Sequence, residues 1–159
     1  MKFHAMRSLH VPLLSILALL TGLSLSAQES AGEQTESLYQ RLGGLVPISV
    51  VVSDFIDVVV DDDMINANPA VKAARTRAPA PYLSYQVTAQ VCYVTGGPCQ
   101  YLGRSMKEAH GHLNITEAEW AHMVALFEGV LDQHLVPARE RQELLDIVAS
   151  TKGEIVMAP

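Results

Sequence analysis

The chain has 159 residues, a formal net charge of −6, and a composition that is 49% hydrophobic and 18% charged. That length suits one domain on one core, and an acidic balance with no basic stripe speaks against a nucleic-acid partner. The hydrophobic fraction exceeds that of an ordinary soluble domain, and part of the excess lies in the first 27 residues.

Residues 1–27 open with Lys2 and Arg7, run apolar from Val11 to Leu25, and close on the small residues Ser24, Ser26 and Ala27. This is the layout of a secretory signal peptide, with cleavage expected after Ala27. The run is shorter than the roughly 20 residues of a membrane-spanning helix, and Pro12, Thr21 and Gly22 weaken it as a span. The alternative is an uncleaved membrane anchor. Export to the periplasm or out of the cell is therefore expected, with no stable membrane partner unless the segment is retained. Removing Lys2 and Arg7, with no acid in the same stretch, takes the mature part from −6 to about −8. Residues 28–36 are small, polar and acidic, and read as a disordered lead-in to a domain over 37–159.

From Ser37 the pattern turns helical, with Leu38, Tyr39 and Leu42 giving a turn or two before Gly43-Gly44. The segment Ile48 to Val60 is rich enough in valine to suggest a strand. Its apolar residues Ile48, Val52, Phe55 and Val59 instead fall at steps of four, three and four, one helix face, with Pro47 suited to the first turn. Asp61 to Pro81, with Asn66-Ala67-Asn68-Pro69 and Pro79-Ala80-Pro81, reads as a long, mostly irregular connection with a helical turn near Val71 to Arg75. A helix follows from Tyr82, with Leu83, Val87, Val91 and Val94 on one face, and stops at Gly96-Gly97-Pro98.

A shorter helix carries Met106, His110 and Leu113 at steps of four and three, so His110 shares a face with two apolar residues. Thr116 and Glu119 form a capping box that starts the clearest helix. Its apolar face is Trp120, Met123, Val124, Phe127, Val130, Leu131 and Leu135. The last helix runs from about Ala138 to Val156, with Gly153 as a weak point. No strand is expected, and the fold class is all-α. The sequence has no phosphate-binding glycine loop, no Cys-x-x-Cys pair and no serine nucleophile elbow, so hydrolytic chemistry has little support. Cys92 and Cys99 straddle the end of one helix; either they form a disulfide or they are two free buried thiols.

The stretch Thr95-Gly96-Gly97-Pro98-Cys99-Gln100-Tyr101-Leu102-Gly103-Arg104-Ser105-Met106-Lys107-Glu108-Ala109-His110 resembles the segment around the proximal histidine of group I truncated haemoglobins. Leu38-Tyr39-Gln40-Arg41-Leu42-Gly43-Gly44 is similar to the start of that family, and the resemblance spans roughly Ser37 to Val156. It implies a shortened globin fold, a two-over-two helical sandwich after the signal segment, enclosing haem b. His110 is then the proximal ligand of the iron, and a neutral imidazole on an apolar helix face agrees with that role. The family's layout puts Met106, Phe55, Val91, Phe127 and Leu131 at the haem wall, each of which also reads as ordinary core. Arg104 and Lys107 are candidates to pair with haem propionates, or simply surface charges.

The distal side departs from the family. Where a tyrosine usually follows the phenylalanine of the second helix, Phe55 is followed by Ile56. Where a glutamine often faces the gas, the count back from Gly96-Gly97 gives Val87, with Leu83 one turn earlier. Ile56, Leu83 and Val87 make an apolar distal pocket, unless a rotated helix offers Gln86, Gln90 or Tyr85 as a donor. Asn66-Ala67-Asn68-Pro69 also stands where the family has a phenylalanine against the haem.

The resemblance therefore implies a five-coordinate haem protein whose partner is a diatomic gas: oxygen, carbon monoxide or nitric oxide. An apolar pocket favours binding over turnover, because charged intermediates need polar support. The competing expectations are a nitric oxide dioxygenase or weak peroxidase on the same scaffold, and a helical module that has lost haem. No residue pattern names a redox partner.

Overall fold

A computed structural model of the protein describes residues 36–158; the expected signal segment and all but the last residue of the lead-in lie outside that range. Helix α1 (Leu38–Arg41) begins at Ser37, whose hydroxyl accepts from the Gln40 N–H while the Gln40 side chain accepts from the Ser37 N–H. Those reciprocal bonds satisfy N–H groups that a short helix leaves without partners.

Helix α2 (Leu45–Asp61) is helical despite its valines, because Ile48, Val52 and Ile56, each four apart, are buried as one stripe. Helix α5 (Ala80–Val94) lies along it, packing Leu83, Val87 and Val91 against that stripe. Helix α7 (Glu117–Gln133) starts at the expected Thr116–Glu119 capping box and also packs on α2. There Phe55 and Phe127 meet edge to face with ring centroids 5.0 Å apart.

Helix α8 (Ala138–Ser150) pairs with α7: Leu144 is buried with Leu131 and Leu38, and Arg141 reaches Glu128 and Asp132. Arg41 ties α1 to the same helix, its guanidinium pairing with Glu140 at 2.8 Å and with Glu143. The Glu140 carboxyl is accordingly held below its usual range, mainly by the hydrogen bond from Arg41.

The stretch expected to be irregular is largely helical. Helix α3 (Asp63–Ala67) is capped by Asp62, which accepts from Ile65 N at 2.8 Å. Helix α4 (Pro69–Arg75) is capped by Asn68, which accepts from Ala70 N and Val71 N, with Pro69 in its first turn. Asx side chains and proline, read along the sequence as turn signals, act here as helix starts; one such cap contributes about 1 kcal/mol.

A short parallel pair corrects the expectation of no strand: β1 (Ile115–Thr116) pairs with β2 (Val156–Ala158), Ile115 opposite Val156. The last helix is also broken, with α8 ending at Ser150 and a separate α9 (Lys152–Ile155) beyond Thr151. Leu135, expected on the apolar face of α7, is 86% exposed at positive φ just past that helix. No helix among the described residues is long and apolar enough to cross a membrane.

Cys92 and Cys99 form a disulfide, which resolves the sequence-level choice. The turn between them depends on close packing. A Cβ on Gly97 would stand 2.5 Å from the Tyr39 ring and 2.7 Å from Cys92 Sγ, so only glycine fits there.

Candidate functional site

Helix α6 (Met106–His110) is a single turn, and its sequence supplies what so short a helix needs. Ser105 caps it, accepting from Glu108 N at 3.3 Å, while Glu108 accepts from the Ser105 N–H at 3.0 Å. His110 closes the turn, and Leu113, expected on the same helix, lies beyond its end but is buried.

The decisive contact is inside that turn: His110 Nδ1 lies 3.0 Å from the carbonyl oxygen of Met106. A carbonyl only accepts, so Nδ1 carries the proton and donates it. In the neutral ring Nε2 then keeps its lone pair. Burial pushes the His110 pKa below its usual value, and neighbouring His112 pushes the same way, against the raising effect of the Met106 hydrogen bond. The ring is thus held neutral with a defined tautomer, ready to donate a lone pair to a metal.

Among the described residues no group of three or more histidine, cysteine, aspartate or glutamate side chains is arranged to hold a bare ion. A single imidazole donor suits a metal that brings its other donors with it, as the iron of a porphyrin does.

The other expected site residues fall into two groups. Phe55, Val91 and Phe127 are only partly buried apolar residues on α2, α5 and α7, beside Leu83 and Val87. Met106 is likewise half-buried on α6. Apolar side chains left in that condition on facing helices fit a flat, mostly hydrophobic group. Leu131 has no exposed surface and packs between Leu38 and Leu144, which makes it core.

On the expected distal side Ile56 is buried in one cluster with Leu83 and Val87. Gln86 and Gln90 are half-buried, and no described residue hydrogen-bonds either amide. Tyr85 is 69% exposed, which removes it as a pocket donor. Arg104, Lys107 and His112 are exposed.

Two pairings escaped the sequence reading because their partners are far apart in the chain. His122 Nε2 meets Asp62 Oδ2 at 2.8 Å, and His134 Nε2 meets Asp54 Oδ2 at 2.7 Å. A shallow cleft lined by Asn68, Asn114, Thr116 and Glu119, among others, has none of the expected site residues in its wall.

Comparison with known proteins bears on the family and the fold. The family model described as bacterial-like globin matches residues 37–157. Among solved structures, the 2/2 hemoglobin from Synechococcus sp. PCC 7002, solved in the cyanomet state with covalently attached heme, superposes with a TM-score of 0.67 at 21% identity. The match covers 76% of this chain and 98% of that one. The truncated hemoglobin from Tetrahymena pyriformis in its Fe(III) form gives a TM-score of 0.66, again at 21% identity with 76% and 98% covered. The pairing of α2 with α5 and of α7 with α8 is therefore the two-over-two arrangement of a shortened globin, and the chain belongs to the bacterial-like globin family, whose cofactor is haem with its iron.

Proposed function

We propose that the protein binds a diatomic gas on haem b, with His110 as the proximal ligand and an apolar distal pocket. The observation that carries this reading is the bond from His110 Nδ1 to the Met106 carbonyl, which leaves Nε2 as a free donor. Haem, when bound, would supply an iron able to take up a small gas. His110 would hold that iron through Nε2, and its lowered pKa keeps protons from competing for the same lone pair. Met106, Phe55, Val91 and Phe127 shield the group from water.

Ile56, Leu83 and Val87 carry no hydrogen-bond donor. Dioxygen, which gains partial negative charge on binding, is stabilised by such a donor, whereas carbon monoxide depends on it far less. The apolar trio therefore favours carbon monoxide over dioxygen, and binding over turnover, since turnover needs polar groups aimed at developing charge. Gln86 is the amide to test if a donor is found. The apolar leader over residues 11–25 and the Cys92–Cys99 disulfide both support an exported protein.

Ultraviolet–visible spectra of the haemin-loaded protein and of His110→Ala test the assignment. A Soret band that shifts with carbon monoxide in the reduced protein and collapses in the variant is expected. A wild type that takes up no haemin, or a variant that matches it, overturns the reading.

A further inference from the structure

The peptide group that joins Met106 to Lys107 is hydrogen-bonded at both ends. Its carbonyl accepts from His110 Nδ1 at 3.0 Å, and its N–H donates to Glu154 Oε2 at 3.2 Å. Glu154, one peptide unit and His110 thus form a continuous chain of donors and acceptors. The carboxylate reaches the first turn of α6 from α9, an element remote in sequence.

Glu154 is itself exposed, but the backbone that carries it is held from several sides. The neighbouring Ile155 is buried, Lys152 pairs with Glu117 on α7 at 2.6 Å, and β2 follows directly to pair with β1. Met157 Cε stands 3.3 Å from where a Cβ on Gly111 would lie, directly after His110. The segment Lys152–Met157 therefore backs the turn that carries the histidine.

We propose that Glu154 is a positioning residue for His110, acting through the Met106–Lys107 peptide to raise the electron-donating power of Nε2; the proposal rests on His110 being the iron ligand. An anionic acceptor on a peptide N–H polarises that amide and makes its carbonyl oxygen a stronger acceptor. A stronger bond from Nδ1–H to that oxygen shifts electron density across the ring toward Nε2. This is the way an outer hydrogen-bond partner tunes a metal-ligating histidine. Glu154 bonds the Lys107 N–H and not the imidazole, so its effect is read at His110 and at the iron.

The test compares full-length wild type with Glu154→Gln, Glu154→Ala and Glu154→Asp, and with Met157→Ala as a packing control. In the reduced, haem-loaded protein, resonance Raman spectra report the iron–histidine stretching band. It is expected to move to lower wavenumber in Glu154→Gln and Glu154→Ala, to return toward wild type in Glu154→Asp, and to stay in place in Met157→Ala. In the isotope-labelled apoprotein, the His110 Nδ1 proton resonance is expected to move upfield in the first two variants, a readout that needs no haem.

A band and a resonance unchanged in Glu154→Gln and Glu154→Ala overturn the relay. An equal movement in Met157→Ala reduces the effect to packing and also overturns it. A band that survives in His110→Ala removes His110 as the ligand instead, and the apoprotein resonance then decides the relay alone.

Discussion

His122 Nε2 lies 2.8 Å from Asp62 Oδ2, so a ring on α7 is tied to the residue that caps α3. Asp62 therefore serves two partners, its other oxygen accepting from Ile65 N at 2.8 Å. The hydrogen bond from His122, and then that from Ile65, hold its carboxyl below the ordinary aspartate range.

A carboxyl whose pKa is depressed in the folded protein resists protonation there more than in the unfolded chain. Its contribution is fully present above the unfolded value of about 3.9 and is lost as pH falls through the lower folded value. Denaturant titrations at about pH 6 and about pH 3 should show wild type losing more stability between the two than Asp62→Asn. Asparagine keeps the cap but has no charge to lose. Equal losses would show that the His122 contact has no energetic weight.

The Cys92–Cys99 bridge closes a loop between cysteines seven positions apart. By the chain-entropy argument such a loop contributes about 2.5 kcal/mol, acting through the unfolded state. Cys99→Ser is expected to lower unfolding stability by roughly that amount, and a dithiol reductant should bring wild type toward the same value. Thermal unfolding with and without reductant reads the effect, and coincident curves for all forms would rule it out.

Val87→Gln installs an amide in the apolar cluster with Ile56 and Leu83. A net hydrogen bond of about 0.5–1.5 kcal/mol should slow dioxygen dissociation by roughly two- to tenfold. Carbon monoxide should leave at nearly its original rate. Stopped-flow ligand replacement distinguishes the two gases; equal changes in both would place Val87 outside the pocket.

The helices that position the site were legible where one local rule governed them. The Thr116–Glu119 box gave the start of α7, and the four-three-four spacing from Ile48 outweighed the strand preference of its valines. Asp62, Asn68 and Pro69 carried the right chemistry for caps, but the same residues also mark turns. Without the tertiary contact of Asn68 Nδ2 to the Leu113 carbonyl, nothing local separated the two readings.

The β1–β2 pair, the two histidine–aspartate contacts and the approach of Glu154 to Lys107 all join residues remote in sequence. No periodicity or spacing encodes such pairings. At the candidate site, the motif pointed to His110, and the tautomer of that ring became visible only with the Met106 carbonyl in place.

The strand pairing of Ile115 with Val156 also bears on the order in which the protein is completed. Helix α5 can pack on α2 before the C-terminal helices follow, whereas Leu38 on α1 finds Leu131 and Leu144 only when α7 and α8 are in place. The turn with His110 has its backing only after Lys152–Met157 has followed. A chain interrupted within α8 would therefore lack both the strand that pairs with β1 and the Glu154 contact to the His110 turn.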